Sequence, residues 1–166
     1  LEFNRLSEAE QKLMEGLDLV GWTGESSAYR RGYTTLARLR AIQGDRSAML
    51  EAVKTLEETW PEGILYAQAL RQRMSIRNRP DDAEVLQEAQ TWLALSGIEF
   101  DDLGVMDSVD PINTSYFRCC LNTAHVMARL AKGQPGKYRF EGVHNYLKRQ
   151  QDFAVSHGFL SWVVEI

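Results

Sequence analysis

The two residues that most constrain a chain covalently are scarce here: 166 residues hold four prolines and two cysteines. The cysteines, Cys119 and Cys120, are neighbours. A bridge between adjacent residues is strained and two cysteines make no framework, so both are expected to pack as small apolar side chains in a reducing cytoplasm. No apolar run approaches the roughly 20 residues of a membrane helix. The opening Leu1-Glu2-Phe3-Asn4 has no basic segment leading into an apolar stretch, so no signal peptide is read. A phosphate-cradling Gly-x-x-x-x-Gly-Lys-Ser/Thr loop is missing, as is a His-Glu-x-x-His pair for zinc. No basic recognition helix stands out, and the formal net charge of −4 gives the chain no general attraction for nucleic acid. Strand-type alternation is not sustained anywhere.

What remains is helical period. Leu6, Ala9, Leu13, Leu17 and Val20 recur by threes and fours and predict a helix over 6–20, with Ser7 and Glu10 as a capping box. Tyr29, Tyr33, Leu36, Ala37, Leu39 and Ile42 mark a second over 27–43, with Gly44 as its stop. Asp45 is placed to cap a third, 46–59, carrying Met49, Val53 and Leu56. Pro61 and Gly63 end it. A fourth runs over 64–77 to Asn78, and Pro80 starts a fifth, 81–96. An acidic loop over 97–111 precedes a sixth, 112–132, and a seventh, 140–157. The fold class is all-α. The connections are mostly short, so each helix should pair with its sequence neighbour.

Gly44 and Asn78 end successive first helices 34 residues apart, the tetratricopeptide (TPR) period. One helix pair cannot bury its apolar stripe alone, whereas stacked pairs can. The expected architecture is therefore a single domain over 1–166 of antiparallel helix pairs, a TPR-like right-handed superhelix. The chain opens on Leu1 rather than Met, and closes on an apolar run, 159–166, that follows His157-Gly158. An interior piece of a larger protein is expected from those ends.

Three segments resemble one family. Thr35-Leu36-Ala37-Arg38-Leu39-Arg40-Ala41-Ile42-Gln43-Gly44-Asp45 resembles the "LAR…GD" repeat of MalT-type regulators, the ATP-dependent activators of the LuxR class. Thr91 to Asp102 is similar to their "W…GL..DD" segment, and Phe153 to Ile166 to their "A…G….IEI" helix start. Arg71 departs from the pattern, standing where a small residue would suit packing. The resemblance implies a sensor superhelix between an ATPase module and a DNA-binding helix-turn-helix, cytoplasmic, and self-associating in the parent protein. It implies ATP as a cofactor of that parent but none in this segment. The partner would be a small-molecule inducer or a regulatory protein, with no direct nucleic-acid contact, no membrane, and no catalysis. The alternative is a TPR-like assembly adaptor unrelated to transcription.

Chemistry-bearing residues are few. His125 with Cys119 or Cys120 could at most approach a metal site, and packing is the plainer expectation. Asp101, Asp102, Asp107 and Asp110 lack calcium-loop order. Trp22, Trp60, Trp92 and Trp162 sit near helix ends, where packing is the default. The charges, in contrast, are sorted. Arg30, Arg31, Arg38 and Arg40 share one helix without an acid, as do Arg71, Arg73 and Arg77, and also Arg118, Arg129 and Lys132. Their partner helices carry the acids. In a stacked array the first helices line the concave face, which would bring Arg31, Thr34 and Arg38 beside Gln68, Gln72 and Ser75. Such a groove suits an anionic or polyhydroxylated ligand or an acidic peptide. The competing expectation is that these arginines pair with acids of the neighbouring helix.

Overall fold

Local signals fix the helices before packing does. The structure, a computed structural model, describes residues 2–23, 26–97, 114–133 and 140–156, and every regular element among them is helical. These are α1 (Glu2–Thr23), α2 (Ser26–Gln43), α3 (Arg46–Thr59), α4 (Ile64–Asn78), α5 (Ala83–Ser96), α6 (Thr114–Gly133) and α7 (Phe140–Ser156). A short 3-10 turn, Pro61–Gly63, lies between α3 and α4. Two compact units can be described, Leu1–Arg79 and Pro80–Ile166.

The α2–α3 corner follows its residues closely. Gly44 turns the chain at φ +80°, a conformation that costs other residues a Cβ clash. Asp45 then caps α3, its carboxylate accepting from the Ala48 N–H at 2.9 Å. The second corner differs from the expected copy. Asn78 stays helical as the last residue of α4, and no described non-glycine residue has positive φ. Pro80 lies in the turn, and Asp82 does the capping, accepting from Glu84 and Val85 N–H at 3.0 and 3.1 Å. The two caps, Asp45 and Asp82, are 37 residues apart, so the strict 34-residue period does not hold between corners. Ser7 is interior to α1, which starts earlier than expected, and so is no N-cap. Gly97 closes α5 in the left-handed region at φ +66°.

In the first unit α2 packs against α1, α3 and α4, and α3 packs against α4. The α3 stripe is Met49, Ala52, Val53 and Leu56, all fully buried. It meets Leu36, Ala37 and Ala41 of α2 and Ala67, Leu70 and Met74 of α4 in one core of alternating large and small side chains. Ile42, expected inside, is about half exposed. In the second unit α6 packs against α5 and α7. Cys119 to Ala124 of α6 are buried all round, with Val126, Met127 and Leu130, and α7 contributes a buried stripe of Val143, Tyr146, Gln150 and Ala154. Arg129 donates to the Pro80 carbonyl at 2.9 Å and pairs with Asp81, tying α6 to the entrance of α5. Among the described residues no helix is long and apolar enough to cross a membrane.

Trp60 illustrates how one small residue positions a corner. Its indole lies over Gly63, where an added Cβ would fall 2.2 Å from the ring. The Tyr66 ring sits 5.6 Å away, and the Arg30 guanidinium covers the indole at 4.8 Å. Gly63→Ala must displace a ring rather than a flexible chain end. We expect it to destabilise the protein by about 1–3 kcal/mol in chemical denaturation. An unchanged denaturation midpoint would show that the indole is free to move.

Candidate functional site

The α1–α2 seam is antiparallel, and its register can be read from three contacts. At one end the Arg40 Nε donates to Glu10 Oε1 at 3.0 Å, and the Gln43 amide donates to Glu10 Oε2 at 3.0 Å. In the middle Leu17 lies against Gly32, so closely that a Cβ there would be 2.4 Å from Leu17 Cδ2. Toward the other end Gly21 and Tyr29 border the same cleft. Arg40 also donates to the Ala48 carbonyl at 3.0 Å, so one guanidinium joins α1, α2 and α3.

Leu17 and Gly32 divide the seam into two clefts. One, of about 390 Å³, has a floor of Leu13, Gly16, Leu17, Val20, Ala28 and Gly32. Lys12, Ser27, Arg31 and Thr35 stand around it. Nothing fills the space where a Cβ on Gly16 would lie, so the groove stays open there. Lys12 is held by Glu15 at 2.8 Å, whereas the exposed Arg31 side chain makes no hydrogen bond or ion pair to a described residue. The other cleft, of about 500 Å³, is bounded by Met14, Leu17, Asp18, Gly21, Tyr29 and Tyr33. The two phenol rings lie 4.7 Å apart, tilted by 49°.

The six residues expected on a concave face are separated by the structure. Arg31 lines the smaller cleft. Thr34 is buried and accepts a hydrogen bond from the Tyr66 hydroxyl at 3.4 Å, across α2 and α4. Gln72 and Ser75 are buried, at 1% and 2% exposure, and cannot meet a ligand from solvent without an opening of the helices. Arg38 and Gln68 are half-buried, and each already has an interaction within the chain. The six therefore do not form one open surface. Thr34 belongs to the interior because α2 is covered on its α4 side, and Gln72 and Ser75 are buried residues of α4, which packs against both α2 and α3.

Sequence reading found Arg31 but missed Lys12, Ser27 and Thr35, and it passed over Asp18, Tyr29 and Tyr33. The available signal was the antiparallel register: once Glu10 faces Arg40, the residues flanking Leu17 and Gly32 follow from the helical wheel. The acids Asp101, Asp102, Asp107 and Asp110, with Trp22 and Trp162, lie outside the residues whose side chains are described. Among the described residues no group of three or more His, Cys, Asp or Glu is arranged to hold a metal. Arg71, expected to disturb packing, lies near Glu57 of α3, whose carboxyl is pushed up by burial and drawn partly back by that charge. No protein-family model, curated protein or solved structure matches the chain.

Two groups here make separate tests. Glu10 is held below the ordinary carboxyl value of 4.5, first by Gln43 and then by Arg40. Its ionised form is therefore favoured in the fold. The stabilisation is complete above the ordinary value and is lost as pH falls through the lowered one. Wild type should exceed Glu10→Gln by about 1 kcal/mol at neutral pH, with the gap closing in acid below the ordinary value. A gap independent of pH would mean that the carboxylate charge contributes nothing. Cys119 is buried, and desolvation pushes its thiol up to about 12. Ellman's reagent at pH 8 should leave Cys119 unmodified in the native chain and react with it after denaturation. Rapid native labelling at Cys119, located by mass spectrometry, would contradict its burial.

Proposed function

We propose that this chain is a binding module, the sensor or interaction segment of a MalT-like, LuxR-class regulator. It works by binding rather than by catalysis. It is cytoplasmic, belongs to a TPR-like superhelix, and relays the bound state to ATPase and DNA-binding modules of the parent protein. Its ligand is an inducer or a regulatory protein that presents an anionic or hydrogen-bonding group. The observation that supports this reading best is the smaller α1–α2 cleft, where Arg31, with no side-chain partner among the described residues, lines an apolar floor together with Lys12, Ser27 and Thr35.

The chemistry favours an anion with an apolar body. A guanidinium with free donors gains a charge-assisted pair, and the floor of Leu13, Val20 and Ala28 gains from covering. The "LAR…GD" segment adds support, since several of its residues have structural tasks. Leu36, Ala37 and Ala41 are core, Arg40 joins three helices, and Gly44 and Asp45 make the corner.

Calorimetric titration of the full chain with a hexaglutamate peptide and with inorganic phosphate tests the site. Saturable binding is expected, weakened about tenfold by Arg31→Ala or Lys12→Ala, the loss of one charge-assisted hydrogen bond. Lys148→Ala, an exposed cation on α7, should bind as wild type does. Equal affinity across all four proteins would remove the cleft from consideration. The reading frame of the parent gene tests the regulator assignment separately. A P-loop encoded upstream and a helix-turn-helix downstream support it, and their absence would leave an assembly adaptor.

A further inference from the structure

The larger cleft, on the other flank of the same seam, has the opposite chemistry. Asp18 supplies an exposed carboxylate and makes no ion pair to a described cation. Tyr29 and Tyr33 supply two π surfaces set at an angle, and Met14 a polarisable thioether. Gly21 leaves the wall open, since nothing lies within 4 Å of where its Cβ would be. We propose that this cleft binds an organic cation, an ammonium or guanidinium group seated between Asp18 and the paired faces of Tyr29 and Tyr33.

Three alternatives compete for such a cavity, and the residues decide between them. An anion would meet the Asp18 charge with no cation among the described lining residues to offset it. A hard metal ion wants six or more oxygen ligands, several of them charged. Among the described lining residues there is one carboxylate, and the Tyr33 phenol is held protonated by its hydrogen bond with Tyr29, with burial adding to the effect. A neutral apolar ligand would gain nothing from the carboxylate. A weakly hydrated organic cation gains from every element: charge from Asp18, quadrupole attraction from the two rings, and dispersion from Met14 and Leu17. The cleft, at about 500 Å³, lies within the size range of small-ligand sites and admits a cationic head together with the chain that carries it.

This site stands independently of the anion-binding reading, because Leu17 is the one described residue that the two clefts share. The same cationic group can arrive on a free small molecule or on the side chain of a partner protein. Titration of the full chain, followed by nuclear magnetic resonance shifts of the tyrosine ring protons, distinguishes them. Choline and a peptide bearing trimethyllysine are the two cationic probes. The neutral isostere 3,3-dimethylbutanol is the control, and all are measured at constant ionic strength.

Choline or the peptide should saturate, with the isostere at least about tenfold weaker. The tighter of the two probes identifies the source of the cation. Asp18→Asn, an exposed change that leaves the seam intact, should weaken cation binding about tenfold. Tyr29→Leu should do the same, and its thermal unfolding would confirm that it remains folded. Tyr33→Phe keeps the ring face and should bind nearly as wild type does. Glu84→Gln, which removes an exposed carboxylate on α5, should change nothing. Equal affinity for choline, peptide and isostere would overturn the proposal, as would Asp18→Asn binding the cations as tightly as wild type.

Discussion

The first unit depends on how α2 is covered. Three helices pack on it, yet it carries four arginines and few large apolar side chains. A helix so placed must be approached closely and must have its polar groups answered. Close approach comes from Gly32, Ala37 and Ala41, which let Leu17 and the helices facing it settle near the backbone. The polar groups are answered singly. Arg40 goes to Glu10 and to the Ala48 carbonyl, Thr34 to Tyr66, and Arg30 to Ser26 and the Trp60 ring. Mutual dependence follows: the Arg40 contacts require the α2–α3 corner, and that corner requires Gly44 in its left-handed conformation.

The same covering explains why the clefts lie where they do. Leu17 over Gly32 draws α1 and α2 together at one point. On either side of that point the small residues Gly16, Gly21 and Ala28 fail to fill the valley between the helices. The seam is thus tight at its centre and hollow at its flanks. Lys12 and Arg31 fall on one flank and Asp18 on the other, so the hollows acquire opposite charge from a single helical wheel. In the second unit the interface of α6 with α7 has a different composition. Asn122 and Thr123 of α6 and Gln150 of α7 are buried polar residues there, and the Thr123 hydroxyl donates to the Cys119 carbonyl at 2.9 Å.

Much of this fold was legible in the sequence. Helix positions followed from apolar period, and the α2–α3 corner from Gly44 and Asp45, because both signals are local. The α1 start and the α5 cap were misread for an instructive reason. Ser7 with Glu10 satisfies the capping-box pattern, but the Glu10 carboxylate accepts from Arg40 and Gln43, 30 and 33 residues away. Pro80 fits a first helical turn, yet Asp82 offers two N–H groups an acceptor and so sets the boundary. In both cases a local pattern lost to a partner that only the fold, or a competing cap, could supply.

The candidate site was less legible, because a helix pattern does not say how many neighbours cover a helix. Reading α2 as a lining helix placed Thr34 with Arg31 and Arg38 on one open face. Coverage by α4 buries Thr34, while Arg31, three positions earlier, lines a cleft on the α1 side. Segregation of arginines onto α2 therefore has two meanings at once. For Arg30 and Arg40, and for Arg129 on α6, the positive charge is a packing device that reaches carbonyls, a carboxylate or a ring on a neighbouring segment or the preceding turn. Such bonds use the planar, many-donor guanidinium in a way that lysine would not. Arg31 is the contrasting case: it is exposed, lines a hollow, and has no side-chain partner among the described residues. A basic helix is thus a poor guide to a binding face until the structural arginines are subtracted, and on α2 that subtraction moves attention from the α4 side of the helix to its seam with α1.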